Sequence, residues 1–254
     1  MIVAIIQARM GSTRLPGKVL MDLNGIPMLQ YQVDRVVKSK LIEQVVVATS
    51  TLPQDDEIAT FCKKNNIAFF RGSENDVLSR YYEASVEYKA DIIVRLTADC
   101  PLIDPAVIDM TIGLFTKNSL DYSVNTVPPA TSCFPDGSDV EVFSIQALER
   151  ANQEATSKED REHVTFYFWK SEKKDTFKIA QLGNHENWSK YRFTVDYPED
   201  YEVVLKIDQG LKKRNQFGTL EEIINILIEH PEIVDLNSKY YFGIGWNKQG
   251  GIEA

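Results

Sequence analysis

Short apolar runs alternate with longer amphipathic segments over the first hundred residues, and this alternation restricts the fold more than any other feature. Runs rich in Val, Ile and Phe predict strands at Ile2–Gln7, Gln44–Ala48, Ala68–Phe70 and Asp91–Leu96. Between them, helical spacing of apolar side chains predicts helices at Pro27–Lys38, Asp55–Asn65 and Val77–Lys89. Continuous apolar strands that alternate with helices indicate an α/β fold, with a mostly parallel sheet and helices on both faces.

The pattern changes after residue 120. Further strands are expected at Asp121–Val124, Val140–Phe143 and Arg192–Val195. Further helices are expected at Ile145–Asn152, Glu159–Trp169, Glu199–Asp208 and Thr219–Glu229. Because the sheet pattern resumes at Arg192, residues 1–254 are interpreted as one domain with a lid, acceptor or dimerisation insertion at about 125–190. The tail from Tyr240 to Ala254 has no periodicity and is either loose or packed on a partner subunit.

Composition excludes several classes of function. The chain of 254 residues has a formal net charge of −9, which argues against a broad nucleic-acid surface. No apolar run approaches the roughly 20 residues that span a bilayer, and the opening run is too short for a secretory signal. The three cysteines lie far apart and form neither a disulfide framework nor a zinc pattern. We therefore expect a cytoplasmic protein that binds neither nucleic acid nor membrane.

A basic loop follows the first predicted strand. Residues 7–18 read QARMGSTRLPGK, with three cations, two glycines and two hydroxyls but no acid. Glycine lets the backbone approach a ligand, successive N–H groups cradle phosphate oxygens, and Arg and Lys add positive charge. The loop is not a Walker A motif, since five residues separate Gly11 from Gly17 and Val19 stands where Ser or Thr would bind Mg²⁺. The alternative is a surface loop with solvated charges.

Single carboxylates follow two other predicted strands. Asp99 lies just beyond Leu96, and Asp196 directly follows Val195. Mg²⁺ is usually held by one or two carboxylates, with phosphates and water completing its shell. The alternative is structural: Asp99 stabilises a turn, and Asp196 caps the next helix. Asp104 is expected to cap a helix, and Glu199 and Asp200 to lie in a first helical turn. Together, phosphate-binding cations and Mg²⁺-binding carboxylates suit phosphoryl or nucleotidyl transfer.

Other candidates carry less information. Asp139 and Glu141 share one face of a predicted strand, which by default is an acidic face in water. Arg161 and His163 begin a helix whose aromatic stripe, Phe166 to Trp169, is more typical of a core than of a binding site. Cys100 is expected to be a buried thiol and not a nucleophile.

Six segments, in this order, resemble the cytidylyltransferase family of nucleotide-sugar synthesis, in its spore coat polysaccharide (SpsF-like) branch. They are residues 7–18, 71–82, 96–105, 137–144, 161–165 and 195–202. The resemblance extends from residue 1 to about residue 205, and the first segment is its most specific part. It implies a fold of the nucleotide-diphosphosugar-transferase type, which is GT-A or Rossmann-like.

The resemblance also implies roles for individual residues. Ala8 and Arg9 would bind the base and phosphates. The triphosphate would be bound by Gly11, Ser12, Arg14 and Lys18. The nucleotide pocket would include Arg71, Gly72 and Thr97, and Mg²⁺ would lie on Asp99 and Asp196. On the acceptor side the candidates are Asp139, Glu141, Arg161 and His163.

The resulting hypothesis is a Mg²⁺-dependent nucleotidyltransferase that moves CMP from CTP to a sugar, sugar phosphate or other acidic acceptor in glycan precursor synthesis. Arg14 and Lys18 would be catalytic, because they would stabilise the departing pyrophosphate. The family's acid-sugar branches usually have Asn after the motif lysine, where this chain has Val19, so the acceptor and the base stay open. Two alternative functions stay open, a glycosyltransferase and a non-catalytic nucleotide-binding protein. A glycosyltransferase would usually have an Asp-x-Asp metal pair where this chain has Asp99-Cys-Pro. The resemblance also implies a homodimer.

Overall fold

A central sheet organises the protein. The computed structural model describes residues 1–244, and the rest of the predicted tail, residues 245–254, lies outside the described residues. In chain order the strands are β1 (Ile2–Gln7), β2 (Asp22–Leu23), β3 (Ile26–Pro27), β4 (Gln44–Ser50), β5 (Ala68–Gly72), β6 (Ile92–Thr97), β7 (Tyr122–Val124), β8 (Glu141–Ser144) and β9 (Ile179–Gln181). Strands β2 and β3 form a small separate hairpin, and the other strands form one seven-stranded sheet.

Helices connect the strands. In chain order they are α1 (Met28–Val36), α2 (Asp56–Lys64), α3 (Val77–Glu87), α4 (Pro105–Asn118), α5 (Ile145–Glu154), α6 (Lys158–His163), α7 (Phe166–Trp169), α8 (Pro198–Arg214), α9 (Leu220–Glu229) and α10 (Pro231–Asp235). Asp104 caps α4 by accepting a hydrogen bond from the Ala106 N–H at 2.8 Å, which confirms its predicted role. Within residues 1–244, no helix is both long and apolar enough to cross a bilayer.

The strand order places the ends of β1 and β6 side by side. The order is β5-β4-β1-β6-β8-β7-β9, in which β5, β4, β1 and β6 are parallel and β8 runs antiparallel to both of its neighbours. Gln7, the last residue of β1, pairs with Ala48 on one side and with Thr97 on the other. The chain order reverses direction between β1 and β6, and such switch points are where α/β sheets bind ligands. The predicted α/β fold class is confirmed.

Alternating side chains of the strands build a core on each face. In β1, Ala4 and Ile6 join the cluster formed with α1, α4, α8 and α9. Val3 and Ile5 point to the opposite face, toward α3, α5 and α7. All four side chains are fully buried, so β1 is covered by helices on both faces, as a continuous apolar strand requires.

The predicted strand at Arg192–Val195 is wrong. Arg192 makes only an isolated bridge with Asp136, and the chain then runs without a strand partner into α8. Phe193 and Val195 are fully buried, which explains the strand-like pattern. The sheet is completed instead by β8 and β9, which lie inside residues 125–190. Residues 125–190 therefore add strands to the sheet, and their role as a lid, acceptor or dimerisation insertion stays a prediction.

A γ-turn divides the long helix predicted at Glu159–Trp169. Helix α6 ends at His163, and the Thr165 N–H donates to the His163 carbonyl at 2.5 Å. Val164 lies between them at φ 54° and ψ −65°, an unfavourable backbone conformation for a β-branched residue. Its side chain is fully buried, and this packing helps to offset the strain. The turn lets α7 take a new direction.

Gly137 is the clearest stability probe in the fold. It lies at φ 111°, and a Cβ there would be 2.4 Å from the Thr194 nitrogen. Gly137→Ala should lower the free energy of unfolding by roughly 2–4 kcal/mol in urea denaturation, because backbone strain and overpacking act together. The matched control is Gly113→Ala in α4, where a Cβ meets no atom within 4 Å. It should raise stability by about 0.5–1 kcal/mol, and similar losses for both variants would show that Gly137 is not a specially constrained position.

Candidate active site

A cavity of about 420 Å³ opens where β1 and β6 end. The basic loop after β1 supplies Arg9, Ser12, Thr13, Arg14 and Lys18. From β6 and the residues after it come Arg95, Thr97, Asp99 and Cys100. The remaining polar lining is Gln7, Asp136, Asp139, Glu141, Glu162, His163, Thr165, Arg192, Thr194 and Asp196. The cavity therefore unites segments that are far apart in the sequence.

The basic loop is held in shape by a buried carboxylate. Asp55 is fully buried and accepts the Met10 N–H at 2.7 Å, while its other oxygen accepts the Ser50 N–H at 3.3 Å. Gly17 adopts a left-handed conformation at φ 71°, and its N–H donates to the Met10 carbonyl at 3.1 Å. These bonds fold the loop back on itself, so that Lys18 enters the cavity at the start of a 3-10 turn.

Lys18 lies between the two predicted metal-binding carboxylates. Its Nζ is 3.3 Å from Asp99 Oδ2 and 3.0 Å from Asp196 Oδ1. It also donates to the Val195 carbonyl at 2.6 Å. Burial disfavours the charged amine, but the two carboxylates outweigh that effect and raise the pKa of Lys18. Burial also opposes the charge of Asp99, but Lys18 and a hydrogen bond from Thr97 together outweigh it and lower the pKa of that carboxyl.

Arg14 adds a second cation to Asp196. Its Nη2 lies 2.7 Å from Asp196 Oδ1, the oxygen that also contacts Lys18. The Arg14 guanidinium stands 5.1 Å from the centre of the Tyr197 ring, within the range of a cation–π contact. One carboxylate oxygen thus brings the two predicted catalytic cations together.

Arg192 fixes the other oxygen of Asp196 through a buried cluster of charges. Its guanidinium forms a two-bond contact with Asp200, at 2.9 Å for each bond, and also bonds Asp136. Arg192 Nη2 reaches Asp196 Oδ2 at 3.3 Å. Asp200 in turn accepts the N–H groups of Asp196 and Tyr197, each at 3.0 Å, which confirms its predicted place in the first turn of α8. Burial penalises the Arg192 charge, but the three carboxylates raise its pKa.

The expectation that Asp139 and Glu141 form a solvated acidic face is wrong. Glu141 is 6% exposed and pairs with Arg95 at 2.8 Å across the β6–β8 ladder. Asp139 precedes β8 and accepts the Thr126 hydroxyl at 2.7 Å and the Gly137 N–H at 2.9 Å. Burial raises the pKa of Asp139. Both carboxylates face the cavity, where they were proposed to contact the acceptor.

Helices α6 and α7 give this side of the cavity an aromatic wall. Phe166 and Trp169 line it, while Tyr167 and Phe168 point into the core, so the aromatic stripe serves both purposes. The His163 ring stacks on Phe166 with centres 4.4 Å apart. Burial lowers the pKa of His163, which favours the neutral imidazole.

Five predicted site residues are not part of the cavity lining: Ala8, Gly11, Arg71, Gly72 and Arg161. Arg71 pairs with Asp56 at 2.6 Å and donates to the Ser50 carbonyl. Arg161 forms an ion pair with Asp76, the residue that caps α3. Arg71 and Arg161 are thus held in ion pairs away from the cavity lining, and the contacts of all five residues with a ligand stay predictions.

Several lining residues escaped the sequence analysis. Arg95 had a signal, because a charge inside the apolar strand IIVRLT needs a buried partner. Arg192 lay within the segment misassigned as a strand. Phe242, Gly243 and Ile244 also line the cavity, although they belong to the tail that showed no periodicity. Cys100 is buried as predicted, and burial raises its pKa well above the usual thiol value.

Asp99 and Asp196 suit a divalent ion only if a ligand completes its shell. Within residues 1–244, no group of three or more His, Cys, Asp and Glu side chains is arranged to hold a metal. The two carboxylates offer hard oxygen donors, which Mg²⁺ combines with phosphate oxygens and water. The Lys18 ammonium between them shows that this position already stabilises positive charge.

Comparison with known proteins places the chain among nucleotidyltransferases. A family model described as Cytidylyltransferase matches residues 3–224. The spore coat polysaccharide biosynthesis protein SpsF of Bacillus subtilis (strain 168) is 34% identical, with 91% of this chain and 95% of that protein covered. A 3-deoxy-manno-octulosonate cytidylyltransferase of Trichlorobacter lovleyi is 29% identical over 92% of each chain. The solved structure of a cytidylyltransferase from Leptospira borgpetersenii has a TM-score of 0.84 and 35% identity, covering 94% of this chain and 98% of that one.

The Arg192 cluster gives a test of site integrity. Arg192→Met should lower the free energy of unfolding by about 3–5 kcal/mol at pH 7, because it leaves buried carboxylates without their cation. Urea denaturation measures the change. Lys206→Met, which breaks an exposed pair with Glu202 on α8, is the control and should change stability far less. Equal losses in the two variants would show that the cluster is not a special source of stability.

Proposed function

The chain belongs to the cytidylyltransferase family, and from this premise we propose that it transfers CMP from CTP to a sugar-type acceptor and releases pyrophosphate. The acceptor class is a sugar, a sugar phosphate or an acidic sugar. The observation that carries the proposal is the position of Lys18, which ends the basic loop and lies between Asp99 and Asp196. This arrangement joins cations for a triphosphate with carboxylates for a divalent ion.

The reaction that fits this site is an in-line displacement at the α-phosphorus. An acceptor oxygen forms a bond to that phosphorus while the bond to the bridging oxygen of the β-phosphate breaks, and pyrophosphate leaves. The protein has little covalent chemistry to perform, so its contribution is alignment and the neutralisation of charge. Lys18 and Arg14 would neutralise the charge that builds on the departing pyrophosphate. The raised pKa of Lys18 keeps its amine protonated for this role.

A divalent ion, which we propose to be Mg²⁺, would be held by Asp99 and Asp196. The ion supplies additional charge neutralisation on the phosphate oxygens when it is bound. Because the same carboxylates contact Lys18, the ion and the ammonium share one acidic pair. Arg192 and Asp200 keep Asp196 in place for both cations.

The cavity divides naturally between the two substrates. Arg9, Ser12 and Thr97 lie on the side of the basic loop and are assigned to the nucleotide. Asp139, Glu141 and His163 lie on the side of β8 and α6 and are assigned to the acceptor. Ala8, Gly11, Arg71 and Gly72 are proposed to shape the nucleotide side, and Arg161 to hold α6 against α3 through Asp76.

Nucleotide binding and pyrophosphate release test the proposal directly. CTP, GTP, UTP and ATP are compared by thermal shift, each with and without Mg²⁺. CTP with Mg²⁺ should stabilise the protein selectively, by about 2.7 kcal/mol at a hundredfold excess over its Kd. Neutral, phosphorylated and acidic sugars are then screened for release of pyrophosphate from CTP. A response to nucleotide sugars alone would indicate a glycosyltransferase, and CTP binding without any pyrophosphate release would indicate a non-catalytic protein.

The metal assignment is tested in the same assay. In Asp196→Asn the CTP-induced shift should lose most of its dependence on Mg²⁺, because one of two hard oxygen ligands becomes a neutral amide. Asp175→Asn, at an exposed residue, is the control and should titrate like the natural protein. An unchanged Mg²⁺ titration in Asp196→Asn would return Asp196 to a purely structural role.

Lys18→Ala tests the role of the cation in catalysis. Turnover should fall by about 10²-fold or more, the cost of removing one strong transition-state donor. Lys18→Met, which preserves more of the volume, serves as a second variant if the alanine variant is unstable. Lys40→Ala, at an exposed lysine, should keep normal turnover. A folded Lys18 variant with near-normal turnover would remove the basic loop from the mechanism.

A further inference from the structure

A short C-terminal segment reaches the cavity, although it lies beyond the residues that the family model matches. The family match ends at residue 224, within α9. After α10 the chain returns to the active site, and Phe242, Gly243 and Ile244 join the cavity lining. We call residues 237–244 the strap. The strap therefore reaches the cavity from outside the residues that the family model matches.

One end of the strap is fixed to α8. Asn237 is buried and donates to Asp200 at 2.8 Å and to the Arg192 carbonyl at 3.2 Å. Lys239 contacts Glu199 at 2.7 Å, and the Tyr240 hydroxyl donates to the same carboxylate at 3.0 Å. These contacts tie the strap to the first turn of the helix that follows Asp196.

A stacked tyrosine pair links the strap to Arg14, one of the cations assigned to the triphosphate. The rings of Tyr197 and Tyr240 are nearly parallel at 6°, with centres 3.9 Å apart. Arg14 stands 5.1 Å from the Tyr197 ring, and Arg192 stands 5.9 Å from the Tyr240 ring. Aromatic stacking and cation–π contacts each favour the docked position of the strap. The position of the strap is thus coupled to a cation assigned to the triphosphate.

The other end of the strap reaches the opposite face of the sheet. Phe242 is half-buried and packs against the core cluster that contains Tyr167 and Phe168 of α7. Tyr240 is anchored on α8, which belongs to the cluster on the other face. The strap therefore spans the mouth of the cavity, from the side of Asp196 to the side of α6 and α7.

We propose that the strap closes the acceptor side of the cavity against water, and that the Phe242 side chain forms the barrier. This inference rests on the proposed function. Water competes with any acceptor for the α-phosphorus. Its oxygen bonds to that phosphorus, the bond to the β-phosphate oxygen breaks, CMP and pyrophosphate form, and a proton passes to solvent. An apolar side chain over the acceptor side excludes this second nucleophile and limits which acceptors enter.

The test measures release of pyrophosphate from CTP and Mg²⁺ with no acceptor present. In Phe242→Ala the rate should rise about tenfold, while the Kd for CTP stays within about twofold, because the change removes a water barrier and not a nucleotide contact. Phe242→Leu should restore the low rate, since any large apolar side chain fills the position. Ile228→Ala, at an exposed residue of α9, is the control and should match the natural protein.

Variants at Tyr240 provide a second, independent test of the strap. Tyr240→Ala removes the stack on Tyr197 and should raise water-dependent release as Phe242→Ala does. Tyr240→Phe keeps the stack and should behave like the natural protein. Unchanged hydrolysis in both alanine variants, or a rise that Phe242→Leu fails to reverse, would overturn the strap inference while the proposed function stands. A natural protein that binds no CTP would overturn the proposed function, and the strap inference with it.

Discussion

The architecture of the site depends on one buried ammonium group between two carboxylates. Lys18 comes from the loop after β1, Asp99 follows β6, and Asp196 precedes α8. An unpaired charge in this position would be costly, as would either carboxylate without its cation. The pairing therefore requires three chain segments to meet at the edge of the sheet. The parallel register of β1 with β6 brings the first two together, and the core packing of Val195 brings the third.

The two carboxylate oxygens of Asp196 contact cations from different parts of the structure. Oδ1 faces Lys18 and Arg14, which are cations of the basic loop, whereas Oδ2 faces Arg192, which belongs to a buried cluster of charges. Arg192 contacts both Asp196 and Asp200, and the Asp200 carboxylate also caps the start of α8. The start of α8 and the position of the Asp196 carboxylate are consequently set by the same group of charges.

Local sequence patterns predicted most helices and strands. The features that they missed depend on contacts between residues that are far apart in the sequence. The strands at Ile2–Gln7 and Asp121–Val124 and the basic loop followed from apolar runs, charge and glycine. The salt bridge between Arg95 and Glu141 was not predictable, because it depends on the register between β6 and an antiparallel strand. Phe193 and Val195 were predicted to lie in a strand because their burial in the core produces the alternation of apolar and polar residues that is typical of a strand. Val164 breaks a helix through a backbone conformation that its residue type disfavours, so composition gave no warning.

The reversed direction of β8 has a consequence for how such proteins diversify. Strand β7 ends at the same edge as β1 and β6, and β8 begins there, since Val124 pairs with Glu141. The whole connection between them, residues 125–140, consequently lies at the functional edge, and it contributes Asp136 and Asp139 to the cavity. The basic loop belongs to a different connection, between β1 and β2. Mutation or insertion in the connection between β7 and β8 can thus change one wall of the cavity while the connection between β1 and β2 keeps the other wall unchanged.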